Sequence, residues 1–431
     1  MTVAVVGLGK IGLPLAVQFA GRGRHTFGVD IDQSVVRAVE EARPPFPNEA
    51  DLAERLAKVV ADGFLEATTD TAAAVASSEV VVVVVPLYVD ARGEPEFSAI
   101  DGATREVGRG LQQGTLVTYE TTLPVGTTRG RIAARLAEAS GLQAGADFFL
   151  AFSPERVSSG RVFRDLARYP KLVGGIDEES GRRAANFYDS ALDFDERDDL
   201  PKPNGAWDLG SAEAAELAKL AETTYRDVNI GLANQFALYA GSIGVDFLEI
   251  AEACNSQPFS HLHRPGIAVG GHCIPVYPWF YLGGDPAATI VRAAREANGM
   301  MPERCVDMLA ERYADLTGAV VVVLGACYRG GVKETAFSGV FATVDALRRR
   351  GARPLVEDPL LTAAELTALG LEPYRAGTAV DAAVLQADHA EYQELTPSDL
   401  PGVQVVLDGR GVLDPARWPG VSVLSLGRGS R

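Results

Sequence analysis

Thr2 to Val6 is an unbroken apolar run of strand length, and apolar residues return at helical spacing from Leu13 to Gly21. His25 to Val29 is a second strand, and it ends at Asp30. Glu79 to Val85 is a continuous β-branched run, the pattern of a central parallel strand buried on both faces. Leu116 to Tyr119 and Phe148 to Phe152 read as further strands of the same series. Pro201, Pro203, Asn204 and two glycines make residues 201–211 a linker. Ser211 to Ile243 has no proline, and its only glycines are Gly231 and Gly241. It predicts one long helix or two nearly continuous ones. After about Glu296 a mixed helical segment leads to a second βα series. Its strands are Ala319 to Leu324, Pro354 to Val356 and Val403 to Leu407, with a helix over Phe341 to Arg349. The pattern predicts an α/β fold: two Rossmann-like, doubly wound parallel-sheet domains joined by a long central helix. The expected domains are residues 1–203, 204–298 and 299–431.

Composition narrows the classes. The chain has 431 residues, 47% hydrophobic and 23% charged, as a globular protein with a sizeable core would. A net charge of −17 argues against a general nucleic-acid or anionic-membrane binder, although local loops can still take a phosphorylated ligand. The longest apolar run, Val80 to Leu87, is too short to span a bilayer, and the N-terminus lacks a basic region ahead of its apolar stretch. A cytoplasmic location is the default. The four cysteines, Cys254, Cys273, Cys305 and Cys327, show neither zinc spacing nor a disulfide framework.

Chemistry enters first at Gly7-Leu8-Gly9-Lys10-Ile11-Gly12, where a strand hands over to a helix. Gly7 permits the tight turn, Gly9 lets the backbone approach a pyrophosphate, and Gly12 allows close helix–strand packing. Asp30 at the end of the next strand suits a ribose hydroxyl and favours NAD over NADP. Asp32 reads as a solvated helix start. Thr121 and Thr122 follow a strand end, where hydroxyls either reach a cofactor or water, or form turns and caps. Glu155 occupies the same edge in Ser153-Pro154-Glu155-Arg156, as a ligand group or as an exposed loop acid. Lys219, among alanines and leucine in the long helix, either snorkels to solvent or faces a reacting centre. Cys273 lies in Gly270-Gly271-His272-Cys273-Ile274-Pro275, flanked by glycines and proline rather than core residues. A loop thiol beside a dinucleotide fingerprint suggests a nucleophile that holds an aldehyde during oxidation. His261, His263 and His272 do not make a standard zinc set with it, so no metal is expected.

The ordered set GLGKIGLPLA, VVVVVP, ETTLPVGTT, FSPERV, AKLAETTYRDVNIGLANQFA, GGHCIPVYPWF, LGACYRGGVKET, ADH and LDGRG resembles the nucleotide-sugar 6-dehydrogenase family along nearly the whole chain. The helix and HCIP segments are most similar to the UDP-N-acetylmannosamine and UDP-N-acetylglucosamine branch. The resemblance implies oxidation of a sugar 6-CH2OH to a carboxylate by two hydride transfers to NAD. It makes Cys273 the nucleophile, Lys219 the oxyanion stabiliser, and Glu155 and Thr122 the residues serving water, with Thr223 beside them. It implies cofactor contacts at Gly7, Gly9, Lys10, Ile11, Gly12, Asp30, Pro86, Thr122 and Ser159. Substrate contacts fall on Glu155, Arg156, Lys219, Thr223, Gly270 and Arg329. The implied partners are a nucleotide-sugar and a second copy in a homodimer, with neither nucleic acid nor membrane. Four positions depart from the family pattern. Thr223 replaces an asparagine, Tyr277 an aspartate of the catalytic network, Phe259 an arginine of the PR element, and Ala336 an arginine at the cofactor. These departures keep open a diverged dehydrogenase for another nucleotide-linked primary alcohol, or a silent nucleotide-binding protein.

Overall fold

The computed structural model describes residues 1–46, 49–90 and 93–428. The chain divides into two units, Met1–Ala221 and Glu222–Arg431. The first is built on β1 (Thr2–Val6), β2 (His25–Val29), β3 (Leu65–Thr68), β4 (Val80–Val83), a small hairpin of β5 (Tyr88–Val89) and β6 (Pro95–Glu96), then β7 (Leu116–Tyr119), β8 (Phe149–Phe152), β9 (Lys171–Gly175) and β10 (Ala206–Asp208). The main sheet has the order β10-β9-β8-β7-β4-β1-β2-β3. In that sheet β3, β2, β1, β4, β7 and β8 are parallel; β9 runs antiparallel to β8, and β10 runs parallel to β9. The order reverses between β1 and β4, so the loops after them flank the crevice where such sheets take ligands. All four valines of β4 are buried, as its continuous β-branched run requires. Val3, Val5, Leu13, Phe19, Leu56 and Val82 share the core on one side of this sheet.

The second unit contains β11 (Val320–Leu324), β12 (Arg353–Glu357), β13 (Ala382–Leu385), β14 (Val405–Asp408) and β15 (Ser422–Ser425), in the order β12-β11-β13-β14-β15. Every pair is parallel. Its switch point lies between β11 and β13. Both sheets thus follow the expected doubly wound plan.

The long helix is continuous over Ala212–Ser242. Ala212, Ala215 and Leu220 are buried near its start, and Ala233, Ala237 and Ala240 join the second unit's core further on. Two segments differ from expectation. Residues 201–211 contain β10, which pairs with β9 despite the prolines, because Ala206, Trp207 and Asp208 form a proline-free run that reaches the sheet edge. The mixed segment around Glu296 belongs to one helix, Thr289–Tyr313, with Pro302 inside it. Burial of Met301, Cys305 and Leu309 along that helix offsets the hydrogen bond Pro302 cannot donate.

Candidate functional site

The three glycines after β1 are required for three different reasons. Gly7 has φ +97°, and a Cβ there would lie 2.9 Å from the Val84 carbonyl oxygen. A Cβ on Gly12 would fall 1.8 Å from the Gly7 carbonyl oxygen. A Cβ on Gly9 would meet nothing within 4 Å, so the space it leaves lies outside the protein. That open face, ahead of the helix Gly12–Gly21, fits a pyrophosphate approached by backbone amides. Lys10 is exposed, while Ile11 packs against the core. Asp30 accepts hydrogen bonds from Leu8 N (2.8 Å) and Asp32 N (2.9 Å), which hold its carboxylate at the loop mouth. Asp32 caps the next helix through Ser34 N, as its position suggests. Ile31 is 94% exposed beside Asp30 and suits an adenine face. The signal for it in the sequence is an apolar residue directly after the acid. Pro86 is exposed beyond β4, at the same crevice.

The polar strand ends beyond β7 and β8 form one network. Thr121 Oγ1 donates to the Val85 carbonyl at 2.5 Å, and Thr122 is buried. Glu216 of the long helix accepts from Gly126 N (2.5 Å), Thr128 N (2.8 Å) and Thr128 Oγ1 (2.7 Å), tying this loop to the helix that carries Lys219. Burial pushes the Glu216 carboxyl up to about 7 although three donors pull it down. Lys219 Nζ donates to the Glu155 carbonyl at 2.6 Å. Glu155 Oε1 accepts from the amides of Arg156 (2.7 Å) and Val157 (3.2 Å), and Oε2 from Lys171 Nζ (2.8 Å). The same ammonium donates to Glu120 Oε2 at 2.6 Å. Burial pushes Glu120 up to about 7. It pushes Glu155 up as well, but the Lys171 ammonium outweighs it and the carboxyl ends below its ordinary value. Arg156 donates to the Pro170 carbonyl at 3.2 Å, and Ser159 is exposed. Glu155, Thr122 and Lys219 were expected here; Glu120 and Lys171 were not. Glu120 opens the ETTLPVGTT run, where the hydroxyls drew the reading away from the acid.

In the second unit Cys273 is exposed, whereas Cys305 and Cys327 are buried. Its loop is held from below. Arg295, itself buried, donates to Asp227 Oδ2 (2.5 Å) and to the Pro275 carbonyl (3.2 Å), and Asn298 donates to Asp227 Oδ1 (2.8 Å). A Cβ on Gly270 would lie 2.6 Å from Tyr328 Cβ, so only glycine lets the loop press on Tyr328. Cys273 Sγ stands 3.8 Å from the Tyr277 hydroxyl. His272 Nε2 is 3.8 Å from a Glu334 carboxylate oxygen. Thr223 is buried in the long helix. Arg329 is exposed after β11, its guanidinium 5.7 Å from the Tyr328 ring centre. The sequence reading missed Arg410, which donates to the carbonyls of Gln386 (2.7 Å), Ala268 (3.1 Å) and Tyr328 (3.3 Å), and so knits the switch-point loops together. Phe259 is 92% exposed, and the Ala336 carbonyl accepts from Gly271 N at 3.1 Å.

Among the described residues one group, Cys327, Asp358 and His389, brings three potential metal donors together. Asp358 Oδ2 already accepts from Ala326 N and Cys327 N, both at 2.8 Å, and Oδ1 from Leu360 N at 2.9 Å. Gly331 N donates to His389 Nδ1 at 3.4 Å, and His389 Nε2 lies 3.3 Å from Asp358 Oδ2. These contacts make a hydrogen-bond hub.

The UDP-glucose/GDP-mannose dehydrogenase family matches in three segments: its NAD binding domain at residues 1–192, its central domain at 213–299 and its UDP binding domain at 322–415. The UDP-N-acetyl-D-mannosamine dehydrogenase of Pyrococcus horikoshii is 33% identical over 96% of each chain. An NDP-N-acetyl-D-galactosaminuronic acid dehydrogenase of Ralstonia solanacearum is 31% identical over 96% of this chain and 97% of its own. The solved structure of the Pyrococcus horikoshii UDP-D-ManNAc dehydrogenase superposes with a TM-score of 0.89 at 30% identity, covering 100% of both chains. A UDP-glucose dehydrogenase structure from Pyrobaculum islandicum gives 0.87 at 26% identity, over 99% of this chain and 98% of its own. With an NAD cradle after β1, a switch-point loop cluster in the second sheet and relatedness along its full length, the chain belongs to the UDP-glucose/GDP-mannose dehydrogenase family.

Proposed function

We propose that this chain oxidises the C6 hydroxymethyl group of a UDP-N-acetylhexosamine, with UDP-N-acetyl-D-mannosamine the first candidate, to the carboxylate. The observation that carries this reading is the match to UDP-N-acetyl-D-mannosamine dehydrogenase over 96% of both chains. Gly7, Gly9, Lys10, Ile11, Gly12, Asp30, Pro86, Thr122 and Ser159 are the residues to hold NAD, which accepts hydride when bound. Cys273 is the nucleophile: its Sγ adds to the aldehyde carbon, and the resulting hemithioacetal is oxidised to a thioester that water opens. Burial pushes the thiols of Cys305 and Cys327 up to about 12, which leaves them unsuited to that role. Lys219 steadies the developing oxyanion, and Glu155 with Thr122 serves the water. Arg156, Thr223, Gly270 and Arg329 are the further substrate contacts. The Tyr277 hydroxyl, 3.8 Å from the sulfur, takes the position of the family's aspartate and offers a hydrogen bond without a charge.

The chain acts as a homodimer in this reading. Tyr225, Leu232, Phe236 and Tyr239 lie at helical spacing along the long helix, with Ile243 just past its end, and all are exposed. A stripe of that kind on a helix calls for a partner, and a second copy of the same helix supplies one of matching chemistry. Among the described residues no helix is long and apolar enough to cross a membrane. Four free cysteines suit the reducing cytoplasm.

NADH formed per molecule of UDP-N-acetyl-D-mannosamine consumed tests the reading, with other UDP-, GDP- and TDP-sugars as a panel. Two NADH and a uronic acid are expected, and Cys273→Ala abolishes both. Turnover confined to a different nucleotide-linked alcohol favours the second reading, which Phe259, Tyr277 and Ala336 motivate. No NADH from any sugar favours a silent nucleotide-binding protein.

A further inference from the structure

Behind Glu155 lies a buried acid to which the chemistry above gives no part. Glu120 follows β7 and is 1% exposed. Three charged or titratable groups face it. Lys171 from β9 donates to Oε2 at 2.6 Å, and Tyr188 from the helix Glu178–Ala191 donates to Oε1 at 2.7 Å. The third is Glu155, whose Oε2 accepts from the same Lys171 ammonium at 2.8 Å. Tyr188 in turn lies 3.0 Å from Thr118 Oγ1, so its hydroxyl is fixed from both sides. One ammonium bridges two buried carboxyls and cannot neutralise both as carboxylates, so the cluster favours one further proton on the pair.

We infer that Glu120 is a positioning residue that keeps a proton against Glu155 and, on releasing it, turns Glu155 into the base for thioester hydrolysis. The inference rests on the thioester chemistry proposed above. In that step the water oxygen bonds to the acyl carbon, and the C–S bond breaks with its electron pair going to sulfur. One water proton ends on sulfur. The other passes to Glu155 and is shared with ionised Glu120 before it leaves for solvent. Nothing is oxidised or reduced. While Glu120 keeps its proton, the cluster is neutral and Glu155 is a weak base. Once Glu120 ionises, repulsion between the two carboxylates raises the proton affinity of Glu155. Glu120 is pushed up to about 7, which sets this change near neutral pH.

The test uses two isosteric variants and two readouts. In single-turnover formation of the uronic acid from UDP-N-acetyl-D-mannosamine, the wild-type rate should rise through about pH 7. Glu120→Gln should remove that rise, with a loss of roughly tenfold at pH 8 and little change at pH 6. Tyr188→Phe removes a donor to the Glu120 anion and should move the rise to higher pH. A merely structural role would lower the rate alike at every pH. Independently, carboxyl 13C NMR of the ligand-free protein should show two glutamates titrating near 7, Glu120 and Glu216, of which Glu120→Gln removes one. An unchanged pH profile in Glu120→Gln, or a Glu120 carboxyl that titrates near 4, overturns the inference. No NADH from any sugar sinks the function proposed above instead, and the NMR titration still decides whether Glu120 holds the proton.

Discussion

The two sheets use the same backbone device at their first strand and turn it to different ends. After β1, Gly7 N donates to the Val29 carbonyl at 2.8 Å, and Leu8 N donates to Asp30 at the end of β2. After β11, Gly325 N donates to the Glu357 carbonyl at 2.7 Å, and Ala326 and Cys327 donate to Asp358 at the end of β12. Gly7 and Gly325 both have positive φ, +97° and +102°. The divergence begins two residues later. The first loop continues to Gly9, beside open space, and its acid stays half-exposed at the mouth. The second continues to Cys327, and His389 closes over the acid, so Asp358 and His389 are both buried. An aspartate at a strand end thus has room for a ligand where the space above it is left open. It serves the fold where a side chain fills that space.

The comparison breaks most severely at Asp358. Asp358→Ala strands three amides in the interior and removes the acid facing His389, and it should cost on the order of 3–5 kcal/mol in denaturant unfolding of the second unit. Its charge also carries a pH signature. Burial pushes the Asp358 carboxyl up, but His389 and the amides of Cys327 and Leu360 outweigh this and hold it at about 2. A carboxyl held below its unfolded value adds stability above that value, near 3.8, and loses it as pH falls through about 2. The contribution is roughly 2–3 kcal/mol. Asp358→Asn should flatten the acid limb of a Tm-against-pH curve; an unaltered limb would refute the hub.

Gly12→Ala comes next. Its Cβ would press on the backbone carbonyl of Gly7, which cannot swing away, so a loss of about 1–3 kcal/mol in first-unit stability is expected. Gly9→Ala is the informative contrast. Its Cβ touches nothing and its φ is not positive, so stability should stay within about 0.5 kcal/mol of wild type. NAD affinity should nevertheless fall about tenfold, or 1.4 kcal/mol, if a pyrophosphate lies against that backbone. Isothermal titration separates the two effects. A Gly9→Ala protein that binds NAD as wild type does would place the cofactor elsewhere.

This difference explains what the sequence disclosed. The glycine fingerprint, Asp30 and the strands β1, β2 and β7 were readable because local spacing encodes them. Glu155, Lys219 and Cys273 were singled out by position and resemblance, and the structure seats the first two together through a single hydrogen bond. Glu120 and Lys171 were invisible as a pair, since 51 residues separate them and only the arrangement of β7 and β9 brings them together. Arg410 and the Asp358 hub are similar cases: each acts on backbone groups from distant loops, and no local pattern announces that. β10 was missed because prolines nearby masked a three-residue strand whose only support is its neighbour.

The smallest effect falls on Cys327, and it tests the reading of the hub most finely. Within a hydrogen-bond hub the thiol is a small buried group with a weak donor, pushed up to about 12 by burial and by Asp358. Cys327→Ala should therefore cost only about 1 kcal/mol or less, with NADH formation unchanged. A metal held by Cys327, Asp358 and His389 would behave otherwise. The purified wild type would carry close to one equivalent of zinc by mass spectrometry, Cys327→Ala would lose it, and the stability loss would be several kcal/mol. The hydrogen bonds already made by Asp358 Oδ2 favour the small effect, because both of its in-plane lone pairs are taken by amides. A large loss coupled to zinc would mean that the second sheet, like the first, keeps its strand-end aspartate for a ligand, and the contrast between the two loops would disappear.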